Sequence, residues 1–394
     1  MRLAQSYSRL GTETAFEVLA RARALEASGR KIIHLEIGEP DFDTPANIRD
    51  AAKNALDAGF THYGPSAGLP ETRAAVAAYV SKTRGVAYKP EEIIIVPGGK
   101  PVIFFTILAL IEPGDEVIYP NPGFPIYESM INYAGGKPVP LPIREERNFD
   151  FDPAEFEKLL TPKTKLVILN SPANPTGGVM SPDTMEHVVK ALVKFPDAML
   201  LSDEIYSRIV YGGKHLSPVS APGMKERTML LDGFSKTWAM TGWRLGYGAG
   251  PKWLIDAIAK LATNDHSCVS SFSQIAAIEA LNGPQDAVMA MVTEFKKRRD
   301  VIVKGLNALP GITCKTPSAA FYVFPNIKGT GLKSKALADA LLSEAGVACL
   351  PGTSFGAMGE GYLRFSYANS VENIADALAA MRLALPKLSA VAAK

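Results

Sequence analysis

The sequence predicts an α/β protein: a large domain with a mostly parallel sheet covered by helices, joined to a smaller α+β domain. Two observations carry this reading. From Glu92 to Ala249, short apolar runs alternate with turn residues and helical patterns, as in strand–helix–strand units of a parallel sheet. Beyond residue 285 or so the pattern changes to short strands interspersed with amphipathic helices, which builds a small α+β unit. At 394 residues the chain is ample for a large core and for two or three domains. The expected division is residues 46–284 for the large domain, with 1–45 and 285–394 together forming the small one. No internal repeat, low-complexity tract or long linker interrupts it.

Composition narrows the function. Hydrophobic residues make up 47% and charged residues 21%, the balance of an ordinary globular protein. With 42 basic and 40 acidic residues the net charge is +2, so no partner in nucleic acid or anionic membrane is expected. The opening MRLAQSYSRL has no signal-peptide character, and the most apolar stretch, Pro101 to Ile111, is too short to span a bilayer. Cys268, Cys314 and Cys349 are scattered and odd in number, which gives neither a disulfide framework nor a zinc site and points to the cytoplasm. His34, His62, His187, His215 and His266 have no ligand spacing either, so no metal site is expected.

The elements follow in order. Thr14 to Ala27 predicts an amphipathic helix with Phe16, Leu19, Ala22 and Leu25 on one face. Ile32 to Ile37 predicts a strand that ends in the breaker-rich loop GEPDFDTP, residues 38–45. His62-Tyr63-Gly64-Pro65 opens a turn before a helix from Glu71 to Thr83, and Tyr63 there suits a packing anchor. Glu92 to Val96 is a strand, Pro97-Gly98-Gly99-Lys100 a turn, and Pro101 to Ile111 a helix apolar nearly all round. That order turns free N–H groups and a positive dipole end toward the turn, where a phosphate can bind. Strands at Glu116–Tyr119 and Leu166–Asn170 run into NPGFPIY, with Phe124, and SPANPTG, with Asn174.

Met199-Leu200-Leu201 delivers Ser202-Asp203-Glu204-Ile205-Tyr206 at its end. A carboxylate at the end of a parallel strand points into the crevice where such sheets bind ligands, although Asp203 could equally cap the next helix. Met229 to Leu231 is the next buried strand, followed by Ser235-Lys236 and then Arg244 eight positions after the lysine. A lysine just past a buried strand, with a serine before it and an arginine beyond, suits a loop that holds a phosphate beside a reactive amine. Such an amine must be partly desolvated to react with an aldehyde. Trp253–Ala262, Gln274–Leu281 and Ala287–Leu306 read as helices, and Lys296-Lys297-Arg298-Arg299 on the last as a solvated face. In the tail, Ala320–Phe324, Val347–Leu350 and Tyr362–Ser366 read as strands, with a helix at Ser334–Glu344 and a closing helix through Ile374, Leu378, Met381 and Leu385. Arg364 lies among apolar neighbours, as a salt-bridged structural arginine or an anion clamp.

SKTWAMTGWR closely resembles the cofactor-attachment site of class I/II aminotransferases, the aspartate aminotransferase family of fold type I. GEPDF, SPANPTG and LRFSYA resemble the same family in the same order, over nearly the whole chain. The resemblance implies a pyridoxal 5'-phosphate enzyme that moves an amino group between an L-amino acid and a 2-oxo acid in ping-pong order. It implies that Lys236 carries the cofactor and acts as base, that Asp203 keeps the ring nitrogen protonated, and that Asn174 and Tyr206 bond the ring oxygen. Ser235, Arg244 and the Gly98-Gly99 turn would grip the phosphate, and Phe124 would stack on the ring. Gly38 would lie in the loop over the substrate, and Arg364 would clamp its α-carboxylate. Tyr63 would reach the phosphate of the second subunit in a homodimer with shared active sites. Lys100 would lie near the substrate side chain and favour aspartate, glutamate or 2-oxoglutarate, whereas Phe124 also suits alanine or aromatic substrates. A carbon–sulfur β-lyase on the same scaffold is the alternative activity.

Overall fold

The computed structural model describes residues 2–392; Met1, Ala393 and Lys394, at the ends of the expected small domain, lie outside the described residues. In chain order the elements begin α1 (Thr14–Ala27), β1 (Ile33–His34), α2 (Ala46–Asp57), α3 (Pro70–Arg84), β2 (Ile93–Val96), α4 (Lys100–Leu110), β3 (Glu116–Asn121) and α5 (Ile126–Ala134). There follow β4 (Lys137–Arg144), β5 (Asp150–Phe151), α6 (Pro153–Leu159), β6 (Thr164–Asn170), α7 (Pro182–Val193), β7 (Met199–Asp203), β8 (Thr228–Gly233) and β9 (Gly246–Ala249). The rest are α8 (Lys252–Asp265), α9 (Ser271–Asn282), α10 (Asp286–Asn307), β10 (Tyr322–Val323), α11 (Ser334–Ala340), β11 (Val347–Ala348), β12 (Leu350–Pro351), β13 (Leu363–Ser366) and α12 (Val371–Ala392).

Eight strands form one sheet in the order β2-β9-β8-β7-β6-β3-β4-β5. Its centre, β8-β7-β6-β3-β4, is parallel, while β9 runs antiparallel to both β2 and β8, and β5 antiparallel to β4. The two-residue side-chain period decides which helices cover which face. Ile94, Val96, Leu201, Met229 and Leu231 pack on α4, α5 and α8. Ile93, Ile95 and Leu230 face α2, α3 and α9, and Ile118, Val167 and Leu200 face α6 and α7. Both faces are apolar, so these strands read as unbroken hydrophobic runs in the sequence.

A second core joins α10, α11 and α12 to the three-stranded sheet β10-β13-β12 through Phe295, Leu337, Phe365 and Met381. Residues from near the amino end join it, because β1 pairs in parallel with β11. Several expected strands are shorter than the sequence reading. Of Ile32–Ile37 only Ile33–His34 pairs as a strand, since the backbone beyond is shared between Ala348 and Ser366. Ala320–Phe324 contracts to β10 because Ala320 takes a left-handed φ of 58°. Val347–Leu350 divides into β11 and β12, each with a different partner. The helix expected at 334–344 ends α11 at Ala340 and closes through a wider π turn, Leu341–Ala345.

Candidate active site

The parallel strands end together, with Asn170 of β6 level with Asp203 of β7, and Asp203 level with Leu231 of β8. Over these ends lies a cavity of about 510 Å³, roofed by residues from α1, the 37–39 loop and β13. Its lining includes Gly38, Gly99, Lys100, Phe124, Asn174, Asp203, Tyr206, Ser235, Lys236, Arg244 and Arg364. Of the residues singled out from the sequence, Gly98 stands just behind this wall and Tyr63 lies apart from it, 93% exposed.

Asp203 is on the cavity floor, fully desolvated, and burial pushes its carboxyl up to about 6. Tyr127 opposes that shift by donating its hydroxyl proton to Oδ2 at 2.6 Å, as does the Ile205 N–H to Oδ1 at 3.2 Å. Residues 205–208 form turns rather than a helix, so this carboxylate lines the cavity and caps none. Lys236 follows β8 on the turn after Gly233, and its Nζ donates to the carbonyl of Gly38 at 2.5 Å. Burial pushes this amine down to about 8 against the pull of Glu39, and the nearby Arg364 and Arg244 add to the fall. Gly38 has no room for a side chain, because a Cβ would stand 2.2 Å from the Tyr322 hydroxyl. That hydroxyl is 2.7 Å from the hydroxyl of Tyr206.

On the opposite side, Ser235, Arg244 and the first turn of α4 form a cationic corner with free N–H donors. Gly98 takes a φ of +88°, and a Cβ there would stand 2.2 Å from the Arg244 guanidinium. Glycine at 98 therefore does two things: it makes the left-handed turn and lets the arginine close on it. Lys100 begins α4, where its charge opposes the helix dipole. The compensation is a salt bridge to Glu13, and the ammonium also stands 5.7 Å from the centre of the Phe124 ring.

Arg364 of β13 is buried with its guanidinium 4.7 Å over the Tyr322 ring and 5.0 Å over that of Phe355. It donates to the Glu36 carbonyl and, at 3.3 Å, to Oδ1 of Asn174. Burial lowers its proton affinity, and its Nε has no hydrogen-bond partner among the described residues. A buried N–H of that kind requires an acceptor, and none of its neighbours supplies it. Arg364 is thus a buried guanidinium at the cavity wall, without a salt bridge among the described residues.

Among the lining residues that escaped the sequence reading are Glu13, Tyr127 and Tyr322. Tyr127 had a usable signal, since it follows Phe124 by one helical turn in NPGFPIY. Tyr322 lay in an apolar run that read as core, and nothing local marks Glu13, which comes to the cavity through the tertiary path of α1.

Set beside known proteins, the geometry has close counterparts. The sequence model of the family described as aminotransferase class I and II matches residues 30–381. The aspartate aminotransferase of Pyrococcus abyssi is 43% identical over 364 residues, covering 91% of this chain and 93% of that protein. The aromatic-amino-acid aminotransferase 2 of Thermococcus litoralis is 42% identical over 358 residues, covering 90% and 92%. The solved aspartate aminotransferase of Thermus thermophilus with maleate superposes with a TM-score of 0.92 at 38% identity, covering 98% of this chain and all of that one. A parallel sheet carrying an amine, a carboxylate and an arginine around one cavity is the architecture of an amino-group transferase. The chain belongs to the class I and II aminotransferase family and is an aminotransferase with that fold.

Proposed function

We propose that the protein uses pyridoxal 5'-phosphate to move an amino group from an L-amino acid to a 2-oxo acid in two half-reactions, with a dicarboxylic compound (aspartate, glutamate or 2-oxoglutarate) as one partner. The residues present fit that cofactor: a desolvated amine and a buried carboxylate face one cavity, beside a Gly98 turn whose φ of +88° favours glycine and onto which Arg244 closes. When bound, the cofactor supplies an electron-withdrawing ring that stabilises negative charge on the substrate's α-carbon.

The chain's own groups then divide the work. Ser235, Arg244 and the Gly98-Gly99 turn bind the phosphate. Asp203 holds a proton on the ring nitrogen, and Tyr127 keeps that carboxylate aimed. Asn174 and Tyr206 bond the ring oxygen, and Phe124 covers one ring face. Arg364, which has no carboxylate partner of its own among the described residues, takes the substrate α-carboxylate. Gly38 leaves room for the Tyr322 hydroxyl beside the cavity, and the Lys236 amine would act as the base that takes the substrate's α-proton. Lys100 attracts the far carboxylate of a dicarboxylic partner.

The reading extends to the whole assembly. The division into residues 46–284 and 1–45 plus 285–394 is supported by the sheets: the eight-stranded one draws all its strands from the first part, and β1-β11 and β10-β13-β12 draw all theirs from the second. A homodimer with shared sites is supported by Tyr63, a large side chain left in the open. A cytoplasmic setting is supported by three free cysteines; no described helix is long and apolar enough to cross a membrane.

The observation that carries the proposal is that Lys236, Asp203 and Arg364, a buried guanidinium with no salt bridge among the described residues, line a single cavity. Lys236→Ala should abolish transfer between aspartate and 2-oxoglutarate and remove the visible absorbance of the protein-linked cofactor, with the circular dichroism of the fold intact. Survival of that absorbance after dialysis against excess amine refutes the assignment.

A further inference from the structure

Glu13 is the residue just before α1, and its neighbours fix its backbone on both sides. The Gly11 N–H donates to Ser129 Oγ at 2.9 Å, and Thr14 Oγ1 donates to Ser354 Oγ at 2.6 Å. Further along α1, Arg21 is paired with Asp339 at 2.6 Å. The Glu13 side chain extends from this anchored point into the cavity and is 16% exposed. There Oε1 lies against Lys100 Nζ and makes no hydrogen bond of good geometry to any described residue. Charge pairing with Lys100 is what holds it. The apolar part of the cavity lining includes Phe16, Ile37, Ile103 and Phe124, and the Phe124 ring is beside the pair, its centre 5.7 Å from the Lys100 ammonium.

A single ammonium facing a carboxylate of the protein's own cannot offer its full charge to a ligand. We propose that Glu13 is a specificity-determining residue: its carboxylate occupies the place on Lys100 that the far carboxylate of a dicarboxylic substrate must take. With the Lys100–Glu13 pair closed, the end of the pocket is electrically neutral and apolar, and it receives aromatic or aliphatic side chains. A dicarboxylic substrate enters only by displacing Glu13, which turns by rotation of its side chain while its anchored backbone stays in place. The inference rests on the reading above that Lys100 receives the far carboxylate, and it would let one pocket serve two chemically unlike classes.

The test uses the cofactor-loaded enzyme and two unreactive probes, maleate as the dicarboxylate and 3-phenylpropionate as the apolar monocarboxylate. Glu13→Gln keeps the size and removes the charge. The ratio of maleate to 3-phenylpropionate affinity, measured by calorimetry, should rise about tenfold, the scale of one released charge-assisted contact. The ratio of kcat/KM for aspartate over phenylalanine should rise in parallel. Glu13→Ala should produce the same rise, and Lys100→Ala placed on top of Glu13→Gln should cancel it. A ratio within twofold of the parent, a fall, or a rise in Glu13→Ala without one in Glu13→Gln overturns the inference, the last because it reports bulk rather than charge. Failure of the parent enzyme to use aspartate or glutamate would refute the dicarboxylic reading of function instead, and the maleate ratio would still decide on Glu13.

Discussion

Lys236 stands in a walled cavity, and its hydrogen bond goes to a backbone carbonyl rather than to a carboxylate. An ammonium in that position has lost much of its hydration without a contact ion pair in return, so the neutral amine is favoured. Its proton affinity falls from the ordinary lysine value of 10.5 to about 8. Because the lowered value enlarges the neutral fraction at every pH below 10.5, the cofactor-free protein should be reactive at Lys236 well before bulk lysines are. Labelling by a small amine-directed reagent, followed by peptide mapping, should show half-maximal rate at Lys236 near pH 8. A midpoint above pH 10 would mean that water reaches the amine freely. Asp203 is shifted the opposite way for the same reason, since burial penalises the charged form of each group.

At the level of elements, alternation along β7 separates two adjacent carboxylates. Asp203 turns to the cavity, while Glu204 turns away and meets Arg84 of α3 at 2.9 Å. The same arginine reaches Asp232 of β8 at 2.6 Å, and His215, Ser202 and Ser217 complete the bonds of Glu204. This buried network ties together the ends of the two strands that present Asp203 and Lys236. Although burial opposes ionisation, His215 and Arg84 outweigh it and hold the Glu204 carboxyl down at about 2. Its folded value is below the ordinary 4.5 of the free side chain, so its stabilisation is complete above that pH and drains away as pH falls toward 2. Glu204→Gln should cost about 3 kcal/mol at pH 7 and flatten the decline of Tm between pH 5 and pH 3. An unchanged acid slope would show that the decline belongs to other carboxylates. Much of the sheet was legible in the sequence, because strands covered on both faces are continuous apolar runs and each ended in a motif with a chemical use. Arg84 and Glu204 were not legible as a pair: their partners are far apart in sequence, and a lone charge in a helix reads as solvated. Likewise α2, α5, α6 and α7 carry no motif that sets them apart from connecting segments.

For the whole molecule, the isolated chain leaves Tyr63 93% exposed, away from its own cavity. If its hydroxyl serves a second copy, subunits carrying Lys236→Ala and Tyr63→Phe are each impaired alone, but their hybrid contains one site with both residues intact. An equal mixture, exchanged through mild denaturant, should regain about a quarter of the parent activity, as random pairing of a two-fold dimer requires. Activity no greater than half that of Tyr63→Phe alone would show that each chain completes its own site. The cavity also has a consequence for biosynthesis. Glu13 and Arg364 line the same space, although they come from near opposite ends of the described chain. While the chain is still emerging from the ribosome, the strands carrying Asp203 and Lys236 exist well before Arg364 has been translated. The nascent chain therefore passes through a long interval in which the amine and the acid are present without Arg364. Until Arg364 is made, the cavity that all three residues line is incomplete.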